Sequence, residues 1–84
     1  MVKITKLASG GLAPTMRTGR NERSPAVWGV EVNGALVARI FTQSRESIVV
    51  DAASGRCLYQ TVYAPRLRGQ SRVALAKEWA INNF

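Results

Sequence analysis

Apolar and polar residues alternate with a period of two along much of the chain, which predicts β-strands. The alternation is cleanest over residues 26–32 and continues over residues 35–42. Asn33-Gly34 lies between these two runs. This dipeptide favours a type I′ turn, because both residues tolerate the positive φ that the turn requires. We therefore expect residues 26–42 to form a β-hairpin.

The same alternation assigns a core face to each predicted strand. On the hairpin, the core face is expected to hold Trp28, Val30, Val32, Leu36, Ala38 and Ile40. Further along the chain, Ile48 and Val50 are expected to point inward and Asp51 outward. Cys57 and Tyr59 are expected to share one face of the last strand.

Three more segments are rich in residues that favour strands. Residues 2–7 and 47–52 each predict a short strand, and residues 56–64 predict a longer one. Ser54-Gly55 supplies a turn before the longer strand. Pro65 ends that strand, because proline has no N–H to donate to a neighbouring strand. Residues 47–64 are therefore expected to form a second hairpin.

The last segment changes to a helical period. Ser71 is a suitable N-cap for a helix that runs to about Asn82, and Val73, Ala76 and Ala80 fall on one face of it. This order of elements predicts an α+β fold: a small antiparallel β-sheet of four to five strands with two hairpins, and one C-terminal helix packed on one face. We expect residues 1–84 to form a single small domain.

Residues 9–25 differ from the rest, because they contain glycines and prolines and show no hydrophobic period. We expect this segment to be a flexible basic loop. Arg17, Arg20 and Arg23 lie in it at three-residue spacing. Loops of this length are commonly functional.

The amount and distribution of charge bear on the function of the chain. The 84 residues carry a formal net charge of +7. Residues 1–25 hold five basic residues and one acidic residue, and residues 56–84 hold the same numbers. Residues 26–55 hold two basic and three acidic residues. The positive charge is therefore concentrated in the two ends of the sequence.

The residue types that most catalytic sites need are scarce. The chain has no histidine, which excludes an imidazole base and a histidine-ligated metal. Cys57 is the only cysteine, so the chain has no internal disulfide and no Cys–His pair. No glycine-rich phosphate-loop motif is present. We expect no enzymatic activity, no cofactor and no metal.

Clustered arginine in a basic domain is typical of proteins that bind nucleic acid. Six arginines, in the long loop and around the start of the helix, are the candidate phosphate contacts: Arg17, Arg20, Arg23, Arg66, Arg68 and Arg72. Tyr59 and Tyr63 either stack on unpaired bases or pack beneath the helix. We expect a nucleic-acid-binding module, and the sequence leaves the choice between DNA and RNA open.

The alternative is a module that binds protein, such as a phage or mobile-element inhibitor of the anti-defence or host-regulator type. It would dock on a host complex that handles nucleic acid. Tyr59, Tyr63 and Phe84 are the candidate contacts, because aromatic residues are enriched at protein interfaces. A second copy of the chain is also a candidate partner, because a small core benefits from added buried surface.

The sequence also carries an expectation about location. No run approaches the roughly 20 apolar residues that cross a bilayer, and no signal-peptide pattern is present. An unpaired cysteine suits a reducing compartment. We therefore expect a cytoplasmic protein without a membrane partner.

Overall fold

A computed structural model describes residues 1–7, 12–14, 21–23, 26–42, 46–61 and 71–84, with the backbone alone for 12–14 and 21–23. Within these ranges the chain forms seven strands and one helix. They are β1 (Val2–Lys6), β2 (Leu12–Pro14), β3 (Asn21–Arg23), β4 (Ala26–Val32), β5 (Ala35–Thr42), β6 (Ser47–Asp51), β7 (Cys57–Gln60) and α1 (Arg72–Asn83).

Five of the strands form one antiparallel sheet in the order β1-β4-β5-β6-β7, so that β1 and β7 lie at its edges. The helix α1 packs on one face of this sheet, mainly over β5 and β6. The structure thereby confirms the predicted α+β fold with a C-terminal helix. No helix among the described residues has the length and apolar character that crossing a membrane requires.

The two predicted turns are present. Asn33 and Gly34 have φ values of 53° and 85°, so both adopt the positive φ that a type I′ turn requires. Gly55 has a φ of 74° in the turn between β6 and β7. In that turn, one carboxylate oxygen of Asp51 accepts hydrogen bonds from the amides of Ala53 (3.1 Å) and Ser54 (2.8 Å). These bonds fasten the second hairpin at its closed end.

A β-bulge corrects the predicted core face of β5. Val30 lies opposite Ala38 but Glu31 lies opposite Leu36, so Val37 is an extra residue on β5. The extra residue shifts the alternation. Val37 packs against the core, whereas Leu36 lies on the other face and is 38% exposed. The prediction that Leu36 faces the core is wrong for this reason.

The predicted faces of β6 and β7 also need correction, and on β7 the cause is a second bulge. Tyr59 lies opposite Val49 but Cys57 lies opposite Val50, so the chain gains one residue on β7 and these two residues lie on opposite faces. Val49 is the residue of β6 that joins the core beneath α1. The predicted inward pair, Ile48 and Val50, points to the face opposite the helix.

The core lies between α1 and the sheet, and its fully buried members are Val30, Ala38, Ile40, Val49, Ala76 and Ala80. The helix contributes two alanines, and small side chains let it approach the sheet closely. The opposite face of the sheet also holds buried residues, because Val27 is 7% exposed and Ile48 is 0% exposed. Both faces of the sheet therefore contribute to stability.

Residues 9–25 contain two strands that the sequence did not predict. Leu12–Pro14 pairs with Asn21–Arg23 in an antiparallel two-stranded sheet. Strands of three residues are too short to show a period-two pattern, which is why the sequence indicated only a loop. The prediction of flexibility concerns residues that, apart from these two strands, lie outside the described ranges.

Candidate functional site

The predicted site residues fall into two groups in the structure. Those that lie outside the described ranges are Arg17, Arg20, Arg66, Arg68 and Tyr63. Of the others, Arg23 ends β3, where its backbone lies opposite Leu12, and Arg72 is the first residue of α1. Because four of the six arginines lie outside the described ranges, their common role in binding stays a prediction.

The start of α1 is built as a capped helix terminus. Ser71 has an extended backbone, and its hydroxyl oxygen accepts a hydrogen bond from the amide of Ala74 at 3.2 Å. The amides of Arg72 and Val73 have no acceptor within a helix, as at any helix start. The first turn contains no acidic residue, and Arg72 adds a cation there. These amides and this guanidinium suit an anion such as phosphate.

The middle of α1 crosses one transverse row of the sheet. The row consists of five residues, each paired with the next one on the neighbouring strand: Lys6, Trp28, Ile40, Val49 and Tyr59. Ile40 and Val49 are the buried centre of the row, beneath the alanines of the helix. Trp28 and Tyr59 lie on the two sides of this centre, so each of them borders one flank of α1.

On the β7 side, three rings close the edge between helix and sheet, and we call Tyr59, Trp79 and Phe84 the aromatic flank. The rings of Tyr59 and Trp79 are stacked, with centroids 5.2 Å apart and an interplanar angle of 11°. Phe84 meets Trp79 edge to face at 5.9 Å. One face of the Tyr59 ring is thus covered by Trp79, which fits the interpretation that this tyrosine packs beside the helix.

On the β1 side, a lysine takes the place of a second ring, and we call Lys6, Trp28 and Lys77 the lysine flank. The Nζ atom of Lys77 lies 3.4 Å from the centroid of the Trp28 ring, a cation–π contact. The Nε1 atom of Trp28 is buried and has no hydrogen-bond acceptor among the described residues. Lys6 is exposed and lies directly opposite Trp28 on the neighbouring strand.

Sequence reasoning missed the lysine flank. Lys6, Trp28 and Lys77 belong to three elements that are far apart in the chain. The pairing of β1 with β4 and the position of the helix bring them together, and neither is encoded in local periodicity. The signal available in the sequence was limited to the residue types: a lysine in β1, a tryptophan on the predicted core face of β4 and a lysine in α1.

Two candidate catalytic features can be located among the described residues, a carboxylate pair and a thiol. Glu31 and Asp51 lie on β4 and β6, which β5 separates, so these two carboxylates are not strand neighbours. Burial raises the pKa of the Cys57 thiol, whose Sγ donates to the carbonyl of Tyr59 at 3.4 Å. A thiol with a raised pKa is a poor nucleophile near neutral pH. The described ranges hold no group of three or more residues that suit a metal ion.

Comparison with known proteins adds no assignment, because no protein-family model, curated protein or solved structure matches the chain. The case for a function therefore depends on the charge and geometry of the chain's own residues.

Proposed function

We propose that this chain is a small non-enzymatic module that binds nucleic acid through basic residues. The phosphate contacts in this proposal are Arg17, Arg20, Arg23, Arg66, Arg68 and Arg72. The observation that carries the proposal is the start of α1, where amides without an acceptor inside the helix, the helix dipole and Arg72 lie together in a turn without acidic residues.

The distribution of charge supports the proposal. The residues whose side chains the structure describes include six basic and four acidic ones. The rest of the chain includes six basic residues, all arginine, and one acidic residue. Arginine binds phosphate through two parallel N–H donors, which makes it better suited to this task than lysine. Most of the excess charge thus belongs to the residue type that suits phosphate best.

In this mechanism, arginine and helix amides neutralise phosphates of the nucleic-acid backbone and release the counterions bound there. No bond is made or broken. Because phosphate contacts carry little sequence information, the proposal predicts affinity without strong base preference.

The test is the salt dependence of binding, measured by fluorescence anisotropy with labelled single-stranded and duplex oligonucleotides. We expect binding at low salt, with the logarithm of the association constant falling linearly against the logarithm of salt concentration. Absence of binding to either form at about 50 mM salt would contradict the proposal.

A variant with Arg17, Arg20 and Arg23 all changed to alanine separates binding from folding. We expect weaker binding with a melting temperature close to that of the unchanged chain, because the proposal gives these arginines a role in binding and none in the core. A large loss of stability would mean that these arginines hold the fold together. Arg56→Ala is the matched control, because Arg56 is exposed and outside the proposed contacts.

One observation favours the second candidate function, docking on a host complex that handles nucleic acid. On the face opposite the helix, Leu7 and Leu36 are 41% and 38% exposed. A Cβ atom placed on Gly29 would lie 3.1 Å from a methyl carbon of each leucine, so the two side chains close over this glycine. Adjacent exposed leucines are a feature of protein contact surfaces.

The two functions are distinguished by capture of binding proteins after nuclease treatment. The docking function predicts a partner that survives the nuclease and is lost when Leu7 and Leu36 are changed to glutamine. A partner that disappears with the nuclease was held through nucleic acid, as the first function expects.

A further inference from the structure

We infer that the lysine flank is a second phosphate-binding site, in which Lys6 and Lys77 contact the backbone of a bound nucleic acid. This inference rests on the proposed function and extends it to residues outside the six arginines. The Lys77 ammonium contacts the ring of Trp28, and Lys6 lies opposite the same tryptophan on the neighbouring strand.

Trp28 fixes the position of Lys77. The indole ring packs against the core, and the Lys77 Nζ atom lies 3.4 Å from its centroid. A free lysine loses side-chain entropy when it is ordered. The cation–π contact already restrains this side chain, so less of that cost remains when a ligand binds. An ammonium has three donors, and those that point away from the ring stay available for phosphate oxygens.

Strand pairing brings Lys6 to the same ring. The amide of Leu7 donates to the carbonyl of Val27 at 2.7 Å, so the next pair, Lys6 and Trp28, is a non-hydrogen-bonded pair. Side chains are closest in pairs of this kind, and both project from the same face of the sheet. The flexible stem of Lys6 lets its ammonium approach that of Lys77 from the open edge of the sheet.

The described carboxylates do not lie in this flank. Glu31 points to the opposite face of the sheet, and Glu46 is buried at the start of β6. The carboxylate of Asp51 is bonded within the turn between β6 and β7. Glu78 follows Lys77 on the helix and therefore projects about 100° away around the axis. The positive charge of the lysine flank is not cancelled within the flank itself.

Arg72 and Lys77 lie on different sides of α1. Lys77 lies five residues after Arg72, which is about 7.5 Å along the helix axis and about 140° around it. Arg72 projects within about 20° of Trp79, seven residues later, and is therefore on the side of the aromatic flank. The lysine flank is thus a phosphate contact separate from the one proposed at the start of α1.

The test compares salt dependence in variants that each remove one charge. Lys6→Gln and Lys77→Gln remove a proposed contact, and Arg56→Gln removes an exposed cation from the turn before β7, at the other end of the strand order. Each lysine variant is expected to reduce the slope of log affinity against log salt by about 1. It should weaken binding about eightfold at about 0.1 M salt. Arg56→Gln is expected to keep the slope.

Lys77→Arg is expected to restore the slope, because arginine keeps the charge and the contact with the ring. The inference is overturned if the wild-type chain binds nucleic acid and both lysine variants keep its slope. Unchanged slopes are expected if the lysines only protect an edge strand from pairing with another chain. They are also expected if the lysines contact an acidic protein. The proposed function fails separately, through a wild-type chain that does not bind at all.

Discussion

The two flanks of α1 solve one structural problem in different ways. Each flank must cover the apolar residues between the side of the helix and the sheet below it, and each does so with a tryptophan. On the β7 side, Trp79 from the helix stacks on Tyr59 of the sheet. On the β1 side the tryptophan is Trp28 of the sheet, and the helix covers it with the ammonium of Lys77.

Under the proposed function, the difference separates stability from recognition. A ring stacked on a ring buries apolar area and leaves no charge, so the aromatic flank contributes mainly to folding. A lysine over a ring contributes less to folding but leaves a cation at the surface. Under the proposed function, one flank of the helix stabilises the domain and the other binds phosphate.

The largest expected effect comes from removing the shared ring of the aromatic flank. Trp79→Ala deletes the stack on Tyr59 and the edge contact with Phe84. We expect the free energy of unfolding to fall by about 3 kcal/mol, the lower end for such truncations because Trp79 is only half-buried. Urea unfolding followed by circular dichroism measures this change.

Two further variants complete the comparison of the two flanks. Ile81→Ala changes a helix residue that is 57% exposed and should cost less than about 0.5 kcal/mol. Lys77→Gln removes the cation from the lysine flank and should cost about 1 kcal/mol. If Lys77→Gln destabilises the domain as much as Trp79→Ala, the division between the flanks is incorrect.

A smaller effect concerns the turn that leads into β7, the strand that carries the aromatic flank. Hydrogen bonds from Ser54 lower the pKa of the Asp51 carboxyl. A lowered pKa in the folded state gives stability that is present above the unfolded value of about 3.9. This stability is lost as the pH falls through the folded pKa.

We therefore expect Asp51→Asn to reduce the dependence of stability on pH in the acid range, measured by urea unfolding between about pH 5 and about pH 2. Asn at this position can still accept hydrogen bonds but does not titrate. A variant with the same acid dependence as the unchanged chain would show that Asp51 does not contribute to it.

The sequence predicted the features that local chemistry controls. Asn33-Gly34 specified its hairpin, because the turn needs positive φ at both residues. Ser71 specified the start of α1, because its hydroxyl accepts the amide of Ala74. Each of these signals is complete within a few residues.

The sequence did not predict features that depend on distant pairing. The bulges at Val37 and Leu58 add one residue each, and neither residue type marks such an insertion. The bulge at Val37 moved Leu36 from the predicted core to the surface, and the bulge at Leu58 moved Cys57 and Tyr59 to opposite faces. The lysine flank was missed for a related reason, since Lys6 reaches Trp28 only once β1 has joined the sheet.

The chain has two tryptophans, one in each flank, so the two indole N–H signals in a ¹H–¹⁵N NMR spectrum report on the flanks separately. Trp28→Phe assigns the signals by removing one of them. During titration with a single-stranded oligonucleotide, we expect the Trp28 signal to shift until binding saturates. We expect the Trp79 signal to keep its position. A shift of Trp79 alone, or no shift of Trp28 at saturation, would contradict the assignment of recognition to the lysine flank.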